Sequence, residues 1–364
     1  MATTAIRNLS SALFPRQLDN SRPCFLLKRH TTTIPPLSRR TFAAKTVGAP
    51  LPPLSASSTT ATAFVQETKP KEAVAVEEER SSGNNILACP ICYEPFSLIS
   101  DRVLSVDDAP RSALKCNTCK KTFSGKETHL DLTLASGAQE YGNVMPLATE
   151  LFRLPVVSYL YERGWRQNFF LGGFPGPEKE FEMMKDYLKP VLGGTIVDAS
   201  CASGLFSRLF AKSGLFSLVV ALDYSENMLQ QCYEFVRQEE NFPKEKLVIV
   251  RADISRLPFV SGSIDAVHAG AAMHCWPSPS AGVAEVSRVL KPGGVFVATT
   301  FILDGPFGLV PFLRPLTQNI SQFSGSQTFT SERELEDLCT ACGFVDFKCS
   351  RNRRFVMFSA TKPS

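Results

Sequence analysis

The chain lacks long apolar runs, since no window of 18 or more apolar residues occurs among its 364 residues. A membrane-spanning helix needs about 20 such residues, so we predict no transmembrane segment. Acidic residues are almost missing from positions 1–65, where Asp19 stands against eight Lys and Arg. This stretch also lacks the compact apolar core of about 7–15 residues that a secretory signal peptide requires.

Positions 1–65 are instead rich in Ser, Thr, Pro and basic residues. This composition is typical of organelle transit peptides, and the lack of an Arg-rich amphipathic helix favours a chloroplast over a mitochondrial address. A basic tail without a targeting role is the alternative interpretation. The charged segment 66–85, which ends in Ser-Ser-Gly-Asn-Asn, is predicted to be a disordered linker.

Setting positions 1–65 aside changes the charge balance. The whole chain carries +4, and because positions 1–65 hold eight basic residues and one acidic residue, the remainder carries −3. A protein that binds nucleic acid usually has a basic net charge, so a mildly acidic remainder argues against RNA as the main substrate.

Two Cys-x-x-Cys pairs, Cys89 with Cys92 and Cys116 with Cys119, are separated by 23 residues. Four thiolates complete the tetrahedral shell of Zn²⁺ and leave no open position, so this spacing predicts a zinc-ribbon-like module over 86–134 with a structural zinc ion. Two disulfides or four unconnected thiols are the alternatives. A third such pair, Cys339 and Cys342, has helical spacing and is predicted to pack on an apolar helix face.

A segment at 135–194 is predicted to be a helical lid or approach segment, and a βα alternation follows it and forms a domain over 195–364. The strand candidates are short, apolar and β-branched: TIVDAS (195–200), SLVVALDY (217–224), KLVIVRAD (246–253), IDAVHAG (264–270) and GVFVATT (294–300). Such strands alternating with helices predict an α/β fold with a doubly wound, mostly parallel sheet, whose ligands bind beyond the carboxyl ends of the strands.

Four features at this edge occur in order: a small-residue turn after Asp198, a carboxylate at Asp223, another at Asp253, and the run RVLKPGG ending at Gly294. Small side chains allow the backbone to approach a ligand closely, and a carboxylate that ends the second strand suits the hydroxyls of a ribose. Over about 195–300 this pattern resembles the class I S-adenosylmethionine-dependent methyltransferases, in the branch of ubiquinone and menaquinone biosynthesis. The resemblance implies a Rossmann-like fold and S-adenosylmethionine as cofactor.

The resemblance also implies roles for individual residues. Asp198 and the turn would hold the methionine end of the cofactor, Asp223 the ribose, Asp253 the adenine amino group, and Tyr224 would pack on adenine. The family usually has three glycines in the turn, whereas this chain has Ser200, Ala202 and Gly204. The small residues Ser200 and Ala202 are expected to fit if their φ angles are negative.

Three further features concern the cofactor and the methyl acceptor. His274 follows the fourth strand, where the family places substrate-facing residues, and is a candidate base or orienting group; a histidine that caps or packs is the alternative. Arg166 is a candidate partner of the methionine carboxylate, and a solvated arginine is the alternative. The apolar insertion 301–329 would cover an apolar acceptor, touch a lipid surface, or pack on the core.

Three functions remain open at this point. The first is methylation of a small lipophilic or phenolic acceptor such as a prenylquinone in the plastid, with peripheral contact to a plastoglobule or thylakoid lipid surface. The second is rRNA methylation, because the run LKCNTCKKTFSGKETHLDLT ahead of such a domain resembles bacterial rRNA guanine methyltransferases. The third is a non-catalytic scaffold, which the altered turn would allow.

Overall fold

A computed structural model describes residues 86–96, 105–134, 150, 153–302 and 329–364, all within the compact unit Val74–Ser364. The predicted transit peptide at 1–65, the predicted linker at 66–85 and positions 303–328 of the apolar insertion lie outside the described residues. In the part of the chain that the structure describes, no helix is both long and apolar enough to cross a membrane.

Within the described residues, ten strands form two sheets. They are β1 (Ala113–Lys115), β2 (Thr122–Ser124), β3 (Leu130–Asp131), β4 (Thr195–Ala199), β5 (Leu218–Asp223), β6 (Leu247–Arg251), β7 (Ile264–Gly270), β8 (Leu290–Phe301), β9 (Val345–Asn352) and β10 (Phe355–Thr361). The hairpin β1–β2 stands alone, and the others form one sheet in the order β3-β6-β5-β4-β7-β8-β10-β9. All neighbours in this sheet run parallel up to β8, and β10 is antiparallel to both β8 and β9. The predicted doubly wound, mostly parallel sheet is confirmed.

Six α-helices are described: α1 (Pro155–Arg163), α2 (Pro177–Leu188), α3 (Leu205–Ser213), α4 (Glu226–Gln238), α5 (Pro279–Val289) and α6 (Glu332–Ala341). Serines start three of them: Ser225, Ser278 and Ser331 each accept a backbone N–H three residues on, which satisfies a donor of the first turn. α6 contains the buried Cys339, as predicted, whereas Cys342 is half-buried and lies just beyond the last helical residue, at the C-cap.

Both faces of the large sheet are buried, which explains why its central strands are almost wholly apolar. One face packs against α2, α3 and α4 through Phe181, Met184, Phe210 and Leu229. The other packs against α5, α6 and the cysteine-bearing module through Phe123, Phe259, Val283 and Leu335.

The cysteine-bearing module shares the main sheet. Its strand β3 pairs in parallel with β6, with Leu130 opposite Val250, and therefore covers an edge that would otherwise expose unpaired backbone groups. At the module's start, Ala88 N donates to Pro258 O at 2.9 Å beside an antiparallel bridge between Leu87 and Phe259. Together with the hydrogen bond from Val106 N to Lys244 O at 3.4 Å, these backbone attachments join the module to the α/β domain, a connection that the sequence pattern did not indicate.

Candidate cofactor cleft and cysteine cluster

The turns that follow β4, β5, β6 and β7 line a cleft at the carboxyl edge of the sheet. The cleft brings together six residues predicted from the sequence, namely Ser200, Ala202, Asp223, Tyr224, Asp253 and His274. Sequence reasoning missed other lining residues, including Arg153, Tyr161, Phe169, Met228 and Trp276. Tyr161 and Trp276 are aromatic residues close to the predicted motifs, which was the signal available for them.

The turn after β4 adopts a conformation that normally requires glycine. Ser200, Ala202 and Gly204 have φ angles of 59°, 50° and 76°, so the condition of negative φ angles, under which Ser200 and Ala202 were expected to fit, is not met. Neighbours hold the turn in place: Trp276 Nε1 donates to Ser200 Oγ at 3.0 Å, and Ala202 N donates to Asp223 Oδ2 at 2.9 Å. The backbone therefore keeps the shape of the glycine-rich loop although two glycines are replaced.

Gly204 is needed for space as well as for its φ angle, because a Cβ there would lie 2.2 Å from the Cys232 sulfur on α4. A side chain at this position fits only if the Cys232 side chain shifts.

Replacing Ala202 with glycine is expected to stabilise the fold by about 0.5–1 kcal/mol. A non-glycine residue in the left-handed region costs about 1–2 kcal/mol, and glycine removes this strain. The greater conformational freedom of glycine in the unfolded chain offsets part of the stabilisation. Urea unfolding followed by circular dichroism measures the difference. Ala211→Gly, on the buried face of α3, is the matched control and should destabilise by at least about 1 kcal/mol. Equal destabilisation by both variants would show that Ala202 is not strained.

Asp223 and Asp253 extend from the ends of β5 and β6 into the cleft. Asp223 Oδ1 accepts from Ser225 N at 2.8 Å and Oδ2 from Ala202 N at 2.9 Å, and each oxygen keeps a lone pair for a ligand. Burial raises the pKa of Asp223, while those backbone hydrogen bonds lower it. Asp253 Oδ1 accepts from Ser255 N at 2.8 Å, which fixes the carboxylate at the start of its turn.

Asp198 does not line the cleft. Its Oδ1 lies 2.7 Å from Nδ1 of His268 on β7, and its Oδ2 accepts from Ser207 Oγ on α3 at 2.5 Å. Both oxygens are therefore used to join three elements beneath the turn, and direct contact with the cofactor stays a prediction. His268 is fully buried, and the signal in the sequence was a polar residue inside an otherwise apolar strand.

Tyr224 lines the cleft next to Asp223. The guanidinium groups of Arg153 and Arg251 lie 5.4 and 5.3 Å from the centre of its ring. These cation–π contacts hold the ring in place, and packing on adenine stays a prediction.

His274 lies in the turn after β7, half-buried, with its ring 5.4 Å from the ring of Phe301 in an edge-to-face contact. Burial lowers the pKa of His274 to about 4. The imidazole is therefore neutral near pH 7, which is the form that accepts a proton.

Acid is expected to destabilise the protein between about pH 6.5 and pH 4 through two histidines. Burial lowers the pKa of both His129 and His274 from 6.5 to about 4. The unfolded chain then binds more protons than the folded chain in this interval, so stability is complete above about pH 6.5 and falls as the pH drops. Thermal unfolding of His129→Gln and His274→Gln should show a smaller loss between pH 7 and pH 5 than the unsubstituted chain. Equal losses in all three would contradict this assignment.

Arg166 lines a second cavity, and Phe169 lines both this cavity and the cleft. Arg166 Nη2 is 3.7 Å from Glu180 Oε1, and the Arg166 guanidinium lies 4.9 Å from the ring of Phe206. Burial raises the pKa of Glu180, although the neighbouring guanidinium acts in the opposite direction. Within the described residues, neither Arg166 Nη2 nor Glu180 Oε2 has a hydrogen-bond partner. Contact between Arg166 and the methionine carboxylate stays a prediction.

The four cysteines of the two predicted pairs lie together. Their sulfur atoms are all within 4.8 Å of one another, with Cys89 Sγ 3.5 Å from Cys119 Sγ and Cys92 Sγ 3.4 Å from Cys116 Sγ. Four Zn–S bonds of about 2.3 Å in a tetrahedron place the sulfurs about 3.8 Å apart. The cluster therefore has the size and the donor atoms that a tetrahedral metal ion requires.

The two cysteine pairs also adopt the same type of backbone turn. Tyr93 N donates to Cys89 O at 2.8 Å, and Lys120 N donates to Cys116 O at 3.1 Å. Tyr93 and Lys120 have φ angles of 62° and 63°. Each turn therefore directs its two sulfurs to the same point, and we call residues 89–93 the first knuckle and residues 116–120 the second knuckle.

Comparison with known proteins gives consistent results. A family model described as a methyltransferase domain matches residues 197–298. A protein of Arabidopsis thaliana named as an uncharacterized chloroplastic methyltransferase is 66% identical over 290 residues, which are 79% of this chain and 82% of that protein. A second Arabidopsis protein with the same description is 50% identical over 280 residues, 76% of this chain and 78% of that protein. A demethylmenaquinone methyltransferase of Clavibacter sepedonicus is 37% identical over 112 residues, 31% of this chain and 43% of that enzyme.

The cleft, the order of the strands and these similarities agree. The matched domain spans β4 to β8, which contribute the turns around the cleft. The first plant relative is matched over most of its length at high identity. The chain therefore belongs to the methyltransferase family and is an S-adenosylmethionine-dependent methyltransferase.

Proposed function

We propose that the enzyme methylates a small apolar acceptor that carries a hydroxyl group, such as a phenol or a reduced prenylquinone. The second cavity carries this proposal, because Phe169, Phe170 and Phe174 contribute to its walls while Arg166 and Glu180 supply charged groups. A hydroxyl group both donates and accepts, so a polar group of the acceptor other than the hydroxyl that is methylated beside His274 would satisfy Glu180 Oε2 and Arg166 Nη2 together. Each buried polar group left unsatisfied costs about 1–3 kcal/mol.

The proposed location is the chloroplast, at a plastoglobule or thylakoid lipid surface. The basic, hydroxyl-rich composition of positions 1–65 and the chloroplastic names of the two plant relatives support the compartment. Large exposed apolar side chains support contact with lipid; on and after α1 they include Val156, Tyr159, Leu160, Phe170 and Leu171, of which Leu171 is 83% exposed.

In this proposal each of the cleft residues has a separate role in binding the cofactor or in accepting the proton. Asp223 binds the ribose hydroxyls, Asp253 the adenine amino group, and the turn at Ser200, Ala202 and Gly204 approaches the methionine end. S-adenosylmethionine supplies a sulfonium methyl group whose leaving group is a neutral thioether. The O–CH₃ bond forms as the S–CH₃ bond breaks, and the hydroxyl proton passes to the neutral His274 imidazole and then to water.

His274→Ala is expected to lower kcat by about 100-fold or more, because general base catalysis contributes about 10²–10⁴-fold. The affinity for S-adenosylhomocysteine should change less than threefold, since the base acts on the acceptor. Single-turnover transfer of a labelled methyl group measures the rate, and isothermal titration measures the affinity. Full turnover by the variant would remove His274 from the mechanism.

Isothermal titration with S-adenosylhomocysteine tests the cofactor site, and absence of binding at millimolar ligand would overturn it. Methyl transfer from labelled S-adenosylmethionine to plastid lipid extract, compared with transfer to plastid rRNA, tests the acceptor class. Label in the lipid fraction supports the proposal, and label in the RNA alone would show that the enzyme methylates rRNA instead.

The rRNA alternative depends on four lysines near the second knuckle: Lys115, Lys120, Lys121 and Lys126. Lys121 Nζ donates to Leu134 O at 2.8 Å, and Lys126 Nζ pairs with Glu226 and lies 3.4 Å from Asp131. Two of the four cations are therefore already neutralised or bonded within the chain. A steep decline of RNA binding with salt would favour this alternative, because phosphate contacts release counterions.

We assign a structural Zn²⁺ ion to the four-cysteine cluster. Four sulfur donors at tetrahedral spacing leave no position for a substrate, so the ion would hold the knuckles together and take no part in methyl transfer. Metal analysis of the purified chain should find one zinc ion per molecule.

A further inference from the structure

The turn after β6 connects the cofactor cleft with the first knuckle. Asp253 lines the cleft, and its carbonyl oxygen accepts from Arg256 N at 3.0 Å. The guanidinium of Arg256 points to the knuckle: Nε donates to Pro90 O at 2.7 Å and Nη2 donates to Ile91 O at 2.8 Å. Pro90 and Ile91 are the two residues between the paired cysteines, so one side chain joins the metal-binding loop to the adenine side of the cleft.

A second contact fixes the same turn. The ring of Tyr93, which ends the first knuckle, makes cation–π contacts with the guanidinium groups of Arg256 and Arg288, whose carbon atoms lie 5.1 and 4.2 Å from the ring centre. Arg288 Nη2 donates to Leu257 O at 2.7 Å and is paired with Glu285 at 2.8 Å. The position of the turn therefore depends on the position of the knuckle.

We propose that Arg256 is a positioning residue that couples metal binding at the four cysteines to cofactor binding at Asp253. A bound ion fixes the carbonyl groups of Pro90 and Ile91, these hold the guanidinium, and the guanidinium holds the turn on which Asp253 stands. The inference rests on the proposed zinc site and on the proposed adenine contact of Asp253.

Coupling of this kind is reciprocal. Zinc tightens cofactor binding by the same factor by which the cofactor tightens zinc binding. Coupling factors between sites are typically about 5–150-fold, and we expect about tenfold for two hydrogen bonds that act through one turn.

The experiment uses the full chain and two probes, zinc and S-adenosylhomocysteine. Isothermal titration gives the Kd of S-adenosylhomocysteine with and without zinc, and competition with a chromophoric chelator gives the Kd of zinc with and without saturating S-adenosylhomocysteine. Arg256→Leu removes both donors, and Arg256→Lys keeps the charge but not the fork of two donors. Arg333→Leu is the control, because Arg333 on α6 is 86% exposed.

The unsubstituted chain and Arg333→Leu should show about tenfold coupling in both directions. Arg256→Leu should show less than twofold coupling while it still binds zinc and keeps its circular dichroism spectrum. The coupling in Arg256→Lys should lie between that of Arg256→Leu and that of the unsubstituted chain. If Arg256 only stabilises the fold, Arg256→Leu should lower the melting temperature and leave both coupling factors unchanged. Zinc-loaded Arg256→Leu should also bind S-adenosylhomocysteine more weakly than zinc-loaded Arg333→Leu, a comparison that does not need a zinc-free chain.

Three results would overturn the inference and can be told apart. Unchanged coupling in Arg256→Leu, or less than twofold coupling in the unsubstituted chain, overturns it alone. Metal analysis without zinc overturns it together with the zinc site. Failure of the zinc-loaded chain to bind S-adenosylhomocysteine overturns it together with the cofactor site.

Discussion

Asp223→Ala is expected to weaken the binding of S-adenosylhomocysteine by about 100-fold or more. In the proposed function this carboxylate accepts two ribose hydroxyls, and each hydrogen bond to a charged group contributes about 1.5–3 kcal/mol, where 1.4 kcal/mol corresponds to tenfold in Kd. The substitution also leaves Ala202 N without its acceptor, so the turn after β4 loses a contact that holds its left-handed conformation. Isothermal titration on the zinc-loaded chain measures the effect.

Two variants show whether the loss comes from the carboxylate itself. Asp223→Asn keeps the shape and one acceptor oxygen but loses the charge, so its affinity should fall between those of the unsubstituted chain and Asp223→Ala. Asp337→Ala, on the exposed side of α6, removes a carboxylate far from the cleft and should leave Kd unchanged. A change below threefold in a folded Asp223→Ala chain would show that the ribose does not bind at this carboxylate.

The sequence allowed the sheet and its ligand edge to be predicted because the information is local. Buried parallel strands are short apolar runs, and Asp223 and Asp253 each stand at the end of such a run. The same holds for the cysteine cluster, because fixed spacing within each pair brings two sulfurs to one point. In these cases a few neighbouring residues determine the geometry.

Features that depend on partners distant in the chain were not predicted. Asp198 stands at the expected position, but its partner His268 lies 70 residues away and takes an oxygen that the family pattern would give to the cofactor. The positive φ angles of Ser200 and Ala202 are held by Trp276 and Asp223, and no local preference of serine or alanine indicates them.

The parallel pairing of β3 with β6 is a further case. A two-residue strand carries no periodic signal, and the pairing is set by the packing of the cysteine-bearing module against the sheet. The module therefore looked separate in the sequence although it shares the sheet and its core.

Loss of the metal is expected to have the largest effect on the fold. The module over 86–134 has three strands of two or three residues, too few to hold a core of their own, and structural zinc contributes about 10–16 kcal/mol to the folding of small zinc modules. Cys116→Ser removes one of four ligands and should lower stability by about 5 kcal/mol. Since 1 kcal/mol corresponds to about 2–4 °C in a domain of this size, the melting temperature should fall by at least about 10 °C.

Calorimetry of the zinc-loaded chains measures this fall, and Cys342→Ser provides the matched control because it removes one thiol from the other Cys-x-x-Cys pair. That variant should melt within about 2 °C of the unsubstituted chain. The module packs Phe123 and Leu130 into the core that also contains Val250 and Phe259, so its loss exposes one face of the sheet beside β6. Limited proteolysis of Cys116→Ser should therefore cut within 86–134 first. A metal shared by both knuckles would make the stability of the whole module depend on each of the four sulfurs. If Cys116→Ser and Cys342→Ser have the same melting temperature and the same resistance to proteolysis, the four thiols are ordinary packing residues.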